Sequence, residues 1–357
     1  MDLSLPYPSS RSPVFGRNMV ATSQPLAAQA GLAMLAAGGN AVDAALASAM
    51  TLTVVEPTGC GLGSDAFAIV WDGTRLHGLN ASGRAPAAWT PEYFAGHDRI
   101  PERGWNSVTV PGVVSAWIAL WKRFGKLPLA SIAAPAIGYA RDGFALTPFI
   151  AKRWQIEAKV LSGQPGFAET FTVNSRAPAA GERFANPALA ASLEEIVASE
   201  GESFYRGDLA ARIVAHARAN EGALSASDLA AHKADWVDTL SVKFAGAAVH
   251  EIPPNGQGIA TLIALGIAEI AGIGDRPVDD VETLHVAIEA TKLALVDAAE
   301  YVADPDAMRV KSAALLDDAY LRARASGKPA IIEVKLDPEA ITPTRTLTQI
   351  RQARSAR

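Results

Sequence analysis

The stretch that most constrains this chain runs over residues 20–68, where alanine and glycine replace nearly everything large. Pro25 suits the first position of a helix, because an amide proton there would have no partner inside the helix. Leu26, Ala30, Ala33 and Ala37 then recur at three- and four-residue spacing. Gly38-Gly39 offers the left-handed conformation that stops such a helix. Asn40 predicts the N-cap of a second helix, with Asp43 in its first turn, where the dipole favours negative charge. Side chains this small let the two helices approach closely. Past Val54-Val55, Gly59, Gly61 and Gly63 alternate along a loop, and 66–71 reads as a buried strand. The glycines leave two readings open: tight packing of strand ends beneath the helices, which the pattern favours, or a loop kept smooth so that something else comes close. Phosphate binding fits poorly. No Lys-Ser/Thr pair follows the glycines, and Gly59-x-Gly61-x-x-Ser64 lacks the third glycine of the dinucleotide fingerprint.

Composition narrows the class. The 357 residues are 49% hydrophobic and 19% charged, which describes a folded chain with room for about two compact units. A net charge of −5 argues against nucleic acid or an anionic membrane as the main partner. Cys60 stands alone, so neither an internal disulfide nor a cysteine-built metal site is available, and it reads as a small hydrophobe rather than a nucleophile. The first 17 residues lack the apolar core of a secretion signal, and no apolar run reaches membrane-spanning length. The expectation is a soluble cytoplasmic protein without cofactor or metal.

Taken in order, 1–18 reads as an extended arm held by Pro6, Pro8 and Pro13, and 19–340 as one α/β domain. Residues 76–80 form a short strand that leaves through Ala81-Ser82-Gly83-Arg84-Ala85-Pro86. An arginine at such a strand exit suits a carboxylate, although a solvated turn arginine is the commoner case. Residues 107–112 read as strand then turn. Helices follow over 113–124, with Trp117 and Trp121 on one face that reads as core rather than ligand platform, and over 129–141, 149–161, 187–200 and 208–219, with 162–183 loop-rich. Ser227-Asp228 predicts the cap of a short helix, and 241–251 alternates like one strand. Helices over 259–271 and 281–303 come next. The second carries His285, Glu289, Lys292, Asp297 and Tyr301, which lack HExxH spacing and read as a structural polar network. The segment 341–357 alternates threonine with other residues and ends in arginines without an acid, the pattern of an exposed tail.

No GxSxG elbow, Walker loop, zinc spacing or Cys-His signature appears, and the six histidines lie outside any motif. The absence gains meaning from a resemblance. Met19–Ala27, the Ala-Gly-Gly-Asn-Ala-Val-Asp-Ala-Ala run after Leu35, the blocks at 54–67 and 108–112, Tyr205-Arg206-Gly207-Asp208, 253–258 and 285–305 all resemble, in order, the large subunit of the γ-glutamyltransferase family. The resemblance implies an α/β fold, the four-layer αββα sandwich of the N-terminal nucleophile hydrolases, completed by a separate small subunit. It implies a precursor that cuts itself after the 341–357 tail, so that a nucleophilic threonine would lie beyond Arg357 and no catalytic residue is expected in this chain. Substrate would then be a γ-glutamyl amide such as glutathione. Alternatives are an amide with another acyl group, as in cephalosporin acylases or an oxamate-like acid, and a binding subunit without chemistry. In relatives acting on glutathione an arginine ahead of an Ala-Pro pair clamps the glutamate carboxylate. Here Ser82 holds that place and Arg84 follows two residues later, so Asn80, Ser82 and Arg84 are the substrate-binding candidates. Two residues along an extended segment keep the face but move the guanidinium by roughly 6–7 Å.

Overall fold

A computed structural model describes residues 14–277 and 279–327, with the backbone of 340–342 and 345–346. Most of the arm expected over 1–18, and most of the tail over 341–357, lies outside the described residues. The chain divides into two compact units, 1–237 and 238–357.

The first unit opens as its small residues dictate. Helix α1 (Pro25–Ala36) starts at Pro25, and Gly38 takes a φ of +84° just beyond its end. Helix α2 (Ala41–Val55) begins with a reciprocal capping box between Asn40 and Asp43. Asp43 is fully buried, and it also accepts the backbone N–H groups of Lys126 and Leu127. Close approach of the helices depends on Gly31 as much as on alanine. A Cβ at Gly31 would fall 2.5 Å from the Ser48 hydroxyl and 2.9 Å from the Ala44 carbonyl.

Strands β1 (Ala66–Trp71) and β2 (Leu76–Ala81) follow, then α3 (Val113–Phe124), α4 (Leu129–Asp142), β3 (Phe144–Ala145) and α5 (Pro148–Leu161). The loop-rich stretch holds α6 (Phe167–Phe171) and β4 (Arg183–Phe184), and the unit closes with α7 (Pro187–Ala198), α8 (Glu202–Arg206), α9 (Asp208–Ala219), α10 (Ala226–Ala231) and β5 (Asp235–Val237). The larger core gathers Met50, Val54, Trp117, Ile132, Trp154 and Leu193 from α2, α3, α4, α5 and α7. Trp117 is core as expected, and Trp121 is half-buried with its indole N–H on the Leu127 carbonyl. The cap of α10 is Ser225, not Ser227, because its hydroxyl reaches Asp228 in a capping box.

Strands β1, β2 and β5 form an antiparallel sheet in the order β1-β2-β5. Leu79 and Ala81 press one face onto Ala116 of α3. On β1 the other face carries Phe67, Ile69 and Trp71, which are 45%, 39% and 61% exposed. The strand expected to be buried is thus covered on one side only. The strand expected near 107–110 is absent: a 3₁₀ turn over Trp105–Ser107 leads into extended backbone whose Val110 N–H bonds the Arg84 carbonyl rather than a sheet neighbour.

In the second unit, 241–251 is a hairpin, not one strand: β6 (Leu240–Phe244) turns through Ala245-Gly246 into β7 (Ala247–Glu251). Both turn residues have positive φ, 49° and 79°, which matches the twist of the flanking strands. Helix α11 (Gly258–Ile270) packs on α12 (Val281–Tyr301), and α13 (Ser312–Leu315) and α14 (Asp318–Ala325) follow. Ile259, Ile263, Ile267, Ala290, Ala294 and Leu321 make this unit's core. The polar residues of α12 do not act as one network. Glu289 pairs with Lys292 at the surface, while buried Asp297 pairs with Arg324 at 2.9 Å. The short strands β8 (Ala340–Thr342) and β9 (Arg345–Thr346) pair antiparallel. Among the described residues no helix is long and apolar enough to cross a membrane.

Candidate functional site

Three segments far apart in sequence converge on the first turn of α3. The loop ending in Ser64-Asp65, the exit of β2 at Ala81–Arg84 and the run 108–112 meet there through their backbones. The Ser64 carbonyl accepts the N–H groups of Gly112 and Val113, at 3.2 and 2.9 Å. Val110 donates to the Arg84 carbonyl at 2.9 Å. The contact is so close that side chains are excluded. A Cβ on Gly83 would lie 1.7 Å from the Val110 carbonyl oxygen, and one on Gly112 would lie 1.8 Å from that of Ala81. Gly83 also has a φ of +71°.

A buried polar network holds this junction from behind. Tyr205 donates its hydroxyl proton to the Pro111 carbonyl at 2.8 Å and accepts the Ser115 N–H at 3.0 Å. Burial pushes the Tyr205 phenol up to about 12, so it keeps its proton at neutral pH. Ser115 gives its one hydroxyl proton to the Gly112 carbonyl at 2.7 Å, so the 2.9 Å bond to His232 is donated by Nε2. The His232 ring lies against Tyr205, centroids 5.2 Å apart. Burial holds His232 below its ordinary value of 6.5, Asp235 opposing and Arg84 adding to the shift.

The candidates from the sequence sit at the exposed end of this junction. Asn80 pairs across the sheet with Phe67 and Asp235, and its Oδ1 accepts the Ser82 N–H at 3.0 Å, fixing the turn out of β2. The Arg84 side chain is 72% exposed, and its guanidinium stands 3.8 Å from the Asp235 carboxylate. An ion pair this open contributes under about 1 kcal/mol, so its breaking would cost little. Asp235, His232 and Ser115 carried no signal in the sequence, because Ser115 and His232 meet across 117 positions and Asp235 meets Arg84 from another part of the chain. Tyr205 lay in a block that carried the family resemblance, but nothing there announced its partner.

The glycine loop decides between its two readings. A Cβ at Gly59 or Gly61 would meet nothing nearer than 3.6 Å, and one at Gly63 would meet nothing within 4 Å. None of the three has a positive φ. Tight packing within the described chain therefore does not explain them. The loop borders two apolar cavities that share Cys60 and Gly61. One of about 340 Å³ reaches Pro57, Phe171 and Leu189, and one of about 240 Å³ reaches Leu46, Phe67 and Trp117. Burial, with Glu56 nearby, raises the Cys60 thiol, which keeps it protonated and unreactive at neutral pH. Burial likewise raises Asp65. Among the described residues no group of three or more His, Cys, Asp or Glu stands together to hold a metal ion.

Comparison with known proteins agrees with this architecture. The family model described as Gamma-glutamyltranspeptidase matches residues 27–337. A cephalosporin acylase from Bacillus halodurans superposes with a TM-score of 0.85 at 46% identity, over 92% of this chain and 63% of that one. The γ-glutamyltranspeptidase of Helicobacter pylori gives 0.84 at 25% identity, over 90% of this chain and 95% of that one. The glutathione hydrolase-like YwrD proenzyme of Bacillus subtilis is 35% identical over 316 residues, 88% of this chain but 60% of its own length. The fold is that of the N-terminal nucleophile hydrolases. Within that class, the chain belongs to the γ-glutamyltranspeptidase family.

Proposed function

We propose that this chain is the large subunit of a two-chain amidohydrolase that cleaves γ-glutamyl amides such as glutathione, or related amides, through an N-terminal threonine on a companion chain of the same precursor. A length mismatch carries the reading: the chain matches 95% of the H. pylori chain but only 60% of the B. subtilis proenzyme. The uncovered apolar face of β1 and the open glycine loop support it, since both offer surface that a companion would cover.

The chemistry follows from the resemblance. A free α-amine with a pKa of about 7.7–8.0 takes the proton of its own threonine hydroxyl at neutral pH. The oxygen attacks the amide carbonyl, the amine departs with a proton, and water clears the acyl-enzyme. The share of the present chain is a wall of the acyl pocket. Arg84 receives the far carboxylate of the acyl group, and Asn80 and Ser82 set the turn that presents it. With Ser82 where relatives acting on glutathione carry arginine, selectivity for the glutamyl group is loose. The 46% identity to a cephalosporin acylase favours a second reading, the same machinery acting on an acid such as glutaryl.

The test is the product of the full precursor. Intact mass and N-terminal sequencing should give two chains, the second beginning with threonine, and γ-glutamyl-anilide and glutaryl-anilide should both be hydrolysed. Strong preference for the γ-glutamyl compound overturns loose selectivity. One uncut chain without hydrolysis overturns the enzyme reading and leaves a binding protein. Arg84→Ala should raise KM for acidic acyl groups by the equivalent of about 1.5–3 kcal/mol; an unchanged KM makes Arg84 structural.

A further inference from the structure

Helix α3 begins without a side-chain cap. Its N-cap is Gly112, which has no group to offer the orphan amides of the first turn. Glycine is imposed there, because any Cβ would strike the Ala81 carbonyl. The amides are satisfied from elsewhere: Ser64 serves Gly112 and Val113, and the Tyr205 hydroxyl serves Ser115 from 90 positions away. Tyr205 simultaneously pins Pro111, and His232 pins the Ser115 hydroxyl that holds Gly112.

Both members of the exposed ion pair hang from this network. Arg84 is tied through its carbonyl to Val110, one residue ahead of the Pro111 that Tyr205 holds. Asp235 follows His232 by three residues along the chain that enters β5. We infer that Tyr205 and His232 are positioning residues that fix Arg84 and Asp235 relative to one another, and thereby set the affinity of this site for a carboxylate-bearing acyl group. The inference rests on the reading of Arg84 given above, and goes beyond it by naming what holds the guanidinium in place.

Several properties suit the two residues to this task. The phenol stays protonated and the imidazole stays neutral across the neutral range, so the bonds they make do not alternate. Their partners are backbone groups and one serine, none of which reaches the exposed end itself. A substitution at Tyr205 reaches Arg84 through the 108–112 backbone, and one at His232 reaches the ion pair also through the chain that leads to Asp235.

The test uses the mature two-chain enzyme with two anilides, glutaryl and valeryl, the second lacking the carboxylate. Tyr205→Phe should raise KM for glutaryl-anilide at least five-fold more than for valeryl-anilide, and should add nothing further in an Arg84→Ala background. His232→Leu should act in the same way, while His232→Gln, whose amide still donates to Ser115, should restore the wild-type KM. A merely structural role lowers the melting temperature and both kcat values together, adds to Arg84→Ala, and overturns the inference. Hydrogen exchange gives a readout independent of turnover. Tyr205→Phe should speed exchange of the Val110 amide, which bonds Arg84, and unchanged exchange there also overturns it. A protein that hydrolyses neither anilide but shows the exchange effect sinks the proposed function and leaves the positioning intact.

Discussion

Gly83 and Gly112 stand where two backbones touch, and neither has a substitute. The atoms facing each missing Cβ are backbone carbonyl oxygens, not side-chain ends that could swing aside. Gly112→Ala should therefore cost at least about 2–3 kcal/mol, read as a fall in urea midpoint at constant m-value. A wild-type midpoint would show that the contact relaxes freely. His232 carries a pH dependence of definite sign. Its folded-state pKa is depressed by burial, so the folded form binds fewer protons than the unfolded one. Stability is then present above the ordinary value of 6.5 and is lost as pH falls from there through the lower folded-state value. Melting curves at pH 8 and pH 5.5 should show a larger acid loss for wild type than for His232→Gln, and equal losses would remove His232 from the acid limb.

At the scale of elements, α2 and α3 show two ways to begin a helix. Helix α2 is capped locally by Asn40 and Asp43, and the same two side chains reach the end of α3: Asn40 donates to the Phe124 carbonyl at 2.6 Å, and Asp43 accepts from Lys126 and Leu127. Asn40→Ala thus removes a cap and a tertiary bond together. It should cost about 1–2 kcal/mol, toward the upper end for a cap, and calorimetry of Asn40→Asp, which keeps the acceptor alone, should recover part of that loss. Helix α3 begins with a glycine that tertiary contact demands, and its amides are served from distant segments. A local rule finds the first start and misses the second.

For the whole molecule, the strand β1 presents Phe67, Ile69 and Trp71 to solvent on one face, beside a loop whose glycines have open space around them. Ile69→Lys changes a side chain already 39% exposed, so the chain itself should lose little, within about 0.5 kcal/mol. On the two-chain reading, the same substitution should sharply lower the two-chain complex recovered from the precursor. Gly63→Val should do likewise, since a Cβ there meets no described atom within 4 Å. Full recovery of the complex from both variants would mean that the companion lies elsewhere.

Several features were settled by local sequence: the start of α1 at Pro25, the stop at Gly38, the capping box of α2, the core role of Trp117, and the membership implied by ordered blocks from residue 19 onward. Each depends on neighbours within about four residues, or on identity at ordered positions. The hairpin at 240–251 and the run at 108–112, which bonds other loops and not a sheet, lie beyond such local rules, because alternating apolar residues do not say whether a ladder partner exists. Only the folded chain shows that the Ser64, Arg84, Pro111 and Tyr205 segments share one junction. Arg84 gains its counter-ion, and Tyr205 its role, from groups brought close by backbone packing, and spacing along the chain holds no trace of that proximity.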